Sequence, residues 1–338
     1  MIAKFNRFSL LLKRFFPQLR IYGFSVAISC LFFPFNRFFG PFKFHVAVHK
    51  HRVILKYLFE RYKNIFINYS NKNAEPCSFI KPDSIIWVCW WDGEDKMPTI
   101  VKACYDSLQK HSGLHPVQLI NKYNFNDFIT IPQFIIEKVN NGKISVTHFS
   151  NIVRANLLYE YGGIWLDATI MVLKDISLEK TSFFTLKAPA NKSVSITLTR
   201  FAGLSDFSKR FKNQSMPGIS RWSGFLLAGA RHSLIFEYLR DILHAYWKDH
   251  DDQIDYLLFD YTIALGYDNI PMMKNEIENV PCSSMEKFEL EKILNDEYSE
   301  NKFKKFYTET YHKLTWKKNF KTVSKNNRQT VYGHLLNS

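Results

Sequence analysis

A chain of 338 residues that is 46% apolar and 16% aromatic can bury a sizeable core, which excludes a disordered polypeptide and fits one large domain with appendages or two small domains. Its formal charge of +14 is confined to the ends: residues 1–63 hold twelve Lys and Arg against Glu60 alone, residues 300–338 hold nine against Glu300 and Glu309, and the centre sums to −4. Basic ends around a mildly acidic middle do not make a surface that tracks phosphates, so no nucleic-acid partner is expected.

Taken in chain order, residues 1–75 form a basic, aromatic-rich helical extension. Its Phe, Leu and Tyr residues interleave with Lys and Arg, the composition of an element that lies on an anionic membrane surface. The uncharged stretch from Ile21 to Asn36 is shorter than the run of about 18–20 residues a spanning helix needs. It fits equally an ordinary buried helix, and no small-x-small site follows it to mark a secretory leader. The polar stretch Asn68 to Pro82 is the best boundary, which leaves 76–338 as the main domain with a lysine-rich C-terminal segment.

After that boundary, Ser84 to Trp91 is rich in β-branched and aromatic residues and predicts a buried strand. Pro98 opens a helix on which Ile100, Ala103, Cys104 and Leu108 recur at helical spacing. Val117 to Ile120 is a second strand, and strand, helix, strand in this order begins an α/β fold. Thr147 or Ser150 can cap the next helix, whose face carries Val153, Leu157, Leu158 and Tyr161; Gly162-Gly163 closes it. Ile164 to Leu166 then restarts as a strand ending in Asp167-Ala168-Thr169. Ser223 to Gly229 predicts another strand, and Ser233 to Leu265 a long amphipathic helical region. The five cysteines are scattered and form no CxxC pair, so neither a zinc site nor a disulfide framework is expected, and a reducing, cytoplasmic setting is favoured.

The chemistry concentrates between Thr147 and Thr169. Asn151 and Arg154, three apart, project from one side of their helix, while Asp167 emerges at a strand end, where open α/β sheets hold ligands. A carboxylate at Asp167 could hold a divalent cation, and Arg154 could pair with a phosphate or sugar oxygen, together stabilising charge that builds on a departing diphosphate. Farther on, Asp255 and Asp260 are five apart and diverge on a helix, which leaves Asp260 as the better candidate for the site. Each of these residues also has an ordinary structural role open to it: Asp167 could cap a turn, and the tryptophans could fill a core.

The segment from Thr147 to Thr169 resembles the DXD-containing sugar-binding region of a superfamily of retaining glycosyltransferases, and more closely the capsular polysaccharide synthesis proteins. The likeness extends to Ile86 through Gly93 with Met97-Pro98, to Trp222-Ser223, to Asp255-Tyr256 with Asp260-Tyr261, and to Lys313 through Lys317, so it spans roughly residues 80 to 320. It implies a GT-A glycosyltransferase fold, a Rossmann-like and mostly parallel sheet flanked by helices. It also implies transfer of a hexose or N-acetylhexosamine from a nucleotide sugar to an oligosaccharide or lipid-linked acceptor. Retention of configuration, with either a carboxylate nucleophile or same-face attack, and peripheral attachment to the inner face of the cell membrane are the further expectations. The residues it marks for the donor are Trp87, Trp90, Trp91, Asn151, Arg154, Trp222, Ser223 and Lys313, with Asp167, Arg154 and Asp260 as catalytic groups. Mn2+ or Mg2+ would be held by Asp167, Thr169 and His312. Two positions depart from the family pattern: Asn151 stands where an Asp is usual, and Thr169 where the DXD motif ends in an acid. Asn keeps an acceptor oxygen without the charge, and Thr offers a metal only a neutral oxygen. The alternative to an enzyme is a non-catalytic membrane-associated scaffold of a polysaccharide assembly complex.

Overall fold

The computed structural model describes residues 14–34, 43–72, 79–178, 181–187, 221–283 and 286–337. Helical residues 14–22 lead through Gly23 into α1 (Phe24–Phe32), and α2 (Lys43–Ser70) is a 28-residue helix with a kink at Tyr62. The extension expected over 1–75 does not stand apart where it is described. Tyr22, Val26, Ile54, Leu58, Tyr62, Phe66 and Tyr69 are buried in one cluster with residues of the main domain. The reason is the apolar stripe of α2, which is too wide to face water and packs on two later helices, α6 (Leu234–Asp249) and α7 (Leu258–Asn269). Among the described residues no helix is long and apolar enough to cross a membrane.

The central sheet holds five strands. In chain order these are β1 (Ile86–Cys89), β2 (Val117–Ile120), β3 (Gly163–Asp167), β5 (Phe183–Thr185) and β6 (Leu226–Gly229), arranged spatially as β2-β1-β3-β6-β5. β2, β1 and β3 run parallel; β6 is antiparallel to β3, and β5 to β6, so four strands point one way and β6 alone is reversed. Between β1 and β2 lies α3 (Thr99–Lys110), the crossover that parallel neighbours require. The period-two alternation of side chains sends Trp87, Trp165, Phe183 and Leu227 to one face. There they meet α2, α6, α7 and α5 (Val146–Glu160), α4 (Gln133–Asn140) being the helix before it. Ile86, Val88, Ile164, Leu166, Leu226 and Ala228 go to the other face, against α3 and the C-terminal segments. A second sheet pairs β4 (Ile170–Val172) with β7 (Tyr311–Lys313), bringing the C-terminal region back beside the end of β3.

Several boundaries differ from the sequence expectation for local reasons. α5 is capped by Ser145, whose side chain accepts from the His148 N–H, rather than by Thr147 or Ser150. The expected strand over Ser223 to Gly229 begins only at Leu226, because the Ser223 hydroxyl donates to Leu186 O and its N–H to Thr185 Oγ1, which folds 223–225 into a turn. The region Ser233 to Leu265 is two helices. Between them, the Gln253 N–H turns to the Asp252 carboxylate and the Leu257 N–H to Asp255, side-chain acceptors that compete with helical bonding. This break matters: the 250–257 loop is held to α2 by a buried Lys50–Asp255 ion pair at 2.6 Å, so the N-terminal helices buttress the loop that leads into α7.

Candidate active site

α5 ends at Gly162 (φ 68°) and Gly163 (φ 97°), a pair in the left-handed region that only glycine occupies without strain. A side chain at Gly163 would lie 2.3 Å from Ile85 O, so glycine also permits the close packing of β3 on the chain entering β1. This reversal folds β3 back along α5 and brings Asp167, 13 residues on, to Arg154. Asp167 ends β3 in register with Cys89 at the end of β1, at the C-terminal edge of the parallel strands. Its side chain shares a sheet face with Trp165.

The Asp167 carboxylate is fully engaged. Its Oδ1 accepts from Arg154 Nη2 at 3.0 Å and from Trp165 Nε1 at 3.1 Å, and its Oδ2 accepts from Lys313 Nζ at 3.2 Å. Lys313 also donates to Thr169 Oγ1 at 2.5 Å. Burial would push the Asp167 carboxyl up; Lys313 and then Arg154, with the Trp165 hydrogen bond, hold it below the ordinary carboxylate value. Arg154 lies between the rings of Trp165 and Phe259, at 4.7 and 4.9 Å, and donates through Nη1 to Gly224 O at 2.5 Å. Its side chain is 6% exposed, against 25% for Lys313 and 31% for Asp167. Arg154 is therefore the internal brace of the cluster, and Lys313 its solvent-facing cation.

Asp260, in the first turn of α7, accepts from Trp222 Nε1 at 3.1 Å. Burial lifts its carboxyl to about 6, with Trp222 and Arg154 pulling in the opposite direction. Asp255, which the sequence placed on the same helix, precedes α7 and is spent on Lys50. Asn151 sits one turn before Arg154, partly exposed, and its amide bonds no described residue. Tyr256 is a residue the sequence reading did not select: its ring is 65% exposed and its charged neighbours are Asp167, Asp260 and Arg154. Only its place beside Asp255 in the quoted motif signals it. Tyr256 also lines a cavity of about 260 Å³ between the N-terminal helices and the 252–257 loop, together with Phe33, Lys50 and Asp255.

Three of the residues marked for the donor, Trp87, Trp222 and Ser223, are buried with their polar atoms engaged within the protein. Trp87 is fully buried, donates its indole N–H to Gly162 O at 2.9 Å, and packs on Phe128 and Tyr161, so it closes the α5–β3 reversal instead of facing a base. Trp91 packs on Phe125 and Phe149 and remains partly exposed. Ser223 is buried with its hydroxyl committed to Leu186 O, and Trp222 is buried with its N–H committed to Asp260. Trp90 remains partly exposed, edge-on to the half-exposed Trp316 at 5.9 Å. The resemblance marked Trp90 but not Trp316.

The residues named for a metal do not fit one. His312 is fully buried, its Nε2 facing the carbonyls of Phe306 and Glu309 at 2.9 and 3.2 Å. Neighbouring strand residues point to opposite faces, so with Lys313 turned toward Asp167, His312 is turned away. Thr169 is engaged by Lys313, and both oxygens of Asp167 already carry cationic or N–H donors. Among the described residues no group of three His, Cys, Asp or Glu side chains could hold a metal ion. Mn2+ and Mg2+ require several oxygen ligands and avoid adjacent cations, and this site offers one compensated carboxylate beside two.

Together the sheet and the charged cluster define an α/β protein with a polar site at the C-terminal ends of its parallel strands, the position at which such sheets take ligands. The model of the capsular polysaccharide synthesis protein family matches residues 38–335, and the chain belongs to that family. No curated protein and no solved structure matches it.

Proposed function

We propose that this protein is a glycosyltransferase that moves a hexose or N-acetylhexosamine from a nucleotide sugar to a growing capsular or lipid-linked saccharide. Family membership supports the pathway, and one observation carries the reaction: a strand-end carboxylate, Asp167, gathers an arginine and a lysine around it at the edge of a parallel sheet. The reversed β6 within an otherwise co-directional sheet supports reading the fold as GT-A in type.

In the transfer, the bond between the anomeric carbon and the diphosphate oxygen breaks, its electrons remain on phosphate, and the acceptor oxygen bonds the anomeric carbon while losing its proton. Positive charge fixed beside the phosphate favours that transition state because the donors need no reorganisation as charge develops. Asp260, with a carboxyl near neutrality, is suited to take the acceptor proton. Asn151 and Tyr256 offer partly exposed polar groups for sugar hydroxyls, and the Trp90–Trp316 pair offers aromatic surface for a base. The test is incubation with labelled nucleotide sugars and oligosaccharide acceptors, wild type beside Asp167→Ala. Transfer or donor hydrolysis is expected only from the wild type, and equal turnover by both would remove Asp167 from the chemistry.

A further inference from the structure

We propose that Lys313, anchored by Asp167 and Thr169, is the cation that meets the diphosphate of the donor, in the place of a divalent metal ion. This rests on the glycosyltransferase reading and narrows it.

Three observations lead there. The charges at the strand end are the cations Arg154 and Lys313 and the carboxylate of Asp167, with Asp260 beside Arg154, so Asp167 is already met by two cations and a divalent cation would have to displace them. An ammonium has three N–H donors. Two are directed at Asp167 Oδ2 and Thr169 Oγ1, which leaves the third without an oxygen acceptor on a side chain that is 25% exposed, its Nζ 5.3 Å from the Phe225 ring. Arg154, by contrast, is enclosed by Trp165, Phe259 and Gly224. Finally, Asp167 and Thr169 are the residues a metal would need, and both are arranged as acceptors for Lys313. In this arrangement they hold the ammonium in position, and the Thr169 hydroxyl, accepting from Lys313, keeps its own proton to donate to a phosphate oxygen. Lys313 is the catalytic residue of this scheme, since it touches the leaving group, whereas Asp167 and Arg154 are positioning residues.

The experiment is calorimetric titration of the full chain with UDP, GDP, dTDP and ADP, once in excess EDTA and once in manganese, followed by Lys313→Met and Lys313→Arg with their thermal midpoints recorded. At least one nucleoside diphosphate is expected to bind in EDTA with an affinity within about threefold of that in manganese. Lys313→Met is expected to weaken it by about tenfold to a hundredfold, the range of one lost charge-assisted hydrogen bond, and Lys313→Arg to retain part of it. Binding that requires manganese overturns the proposal and leaves the glycosyltransferase reading standing. No binding of any of the four nucleotides, with or without manganese, overturns both. The comparison of EDTA with manganese uses the unmodified protein, so it tests the metal requirement even where a variant does not fold; a folded Lys313→Met that binds with unchanged affinity overturns the assignment to Lys313.

Discussion

Replacing Asp260 by Asn separates what this residue costs the fold from what it contributes to the site. In the folded protein its carboxyl is lifted from the ordinary 3.8 to about 6, chiefly by burial. The unfolded chain therefore releases this proton at lower pH than the folded protein does. As pH rises between the two values the unfolded state binds fewer protons, and stability falls; above the folded value the whole cost is present. A difference of roughly 2 units corresponds to about 3 kcal/mol at about pH 8 and about half of that at about pH 5, with both figures upper bounds because the residue is partly exposed to screening solvent. Asn keeps an acceptor oxygen for Trp222 Nε1 without the charge. Urea denaturation of wild type and Asp260→Asn at the two pH values is the assay. The expected result is a clear gain for the variant at high pH that shrinks at low pH, together with loss of transfer, the usual exchange between stability and activity at a strained polar site. A gain independent of pH would show that the carboxylate is not penalised and would refute this account of Asp260.

Two further outcomes are expected. Gly163→Ala places a methyl 2.3 Å from Ile85 O in a left-handed backbone, whereas Gly142→Ala, also left-handed at φ 71°, meets nothing within 4 Å. Urea midpoints should therefore show about 1–2 kcal/mol lost at Gly142, from backbone strain alone, and a clearly larger loss at Gly163; equal losses would mean that β3 is not pinned at that contact. Phe16 and Phe24 are exposed on helical segments that also expose Arg14 and Arg20, and they are the residues through which the expected binding to an anionic bilayer would act. Co-sedimentation with phosphatidylserine-containing vesicles should be salt-sensitive and should drop for the Phe16→Ser, Phe24→Ser double variant; unchanged sedimentation would assign those rings another role.

The parts of the site that were legible in the sequence are those written locally. The cap, helix, double glycine and strand from Ser145 to Asp167 form one contiguous unit whose turn chemistry fixes where the acid emerges, so Asp167 and its proximity to Arg154 follow from spacing and φ alone. An indole next to a strand end looks the same in the sequence whether it faces a ligand or a core; the packing of Phe128 and Tyr161 puts Trp87 in the core, while Trp91 stays partly exposed against Phe125 and Phe149. The integration of the N-terminal helices was hidden for a similar reason, since a basic amphipathic pattern does not state which partner covers its apolar stripe. α6 and α7 are that partner, and the pairing of Lys50 with Asp255 ties the same helix to the loop between them across 205 positions of sequence.

The contact that most changes the reading of the site, Lys313 with Asp167, spans 146 residues. Sequence spacing cannot reach it, and charge type alone points to the wrong residue. An arginine near a strand end suggests the phosphate ligand because its fork suits phosphate geometry. Burial reverses that preference here: Arg154 is sandwiched between two rings and satisfies the carboxylate from beneath, while the lysine stands at the rim. A buried guanidinium held by π-faces has no donor turned to the rim, whereas the ammonium, held by Asp167 and Thr169, has a third N–H left for an anion. The division of labour between the two cations thus follows from exposure: the buried charge sets where the carboxylate stands, and the one at the rim makes the encounter.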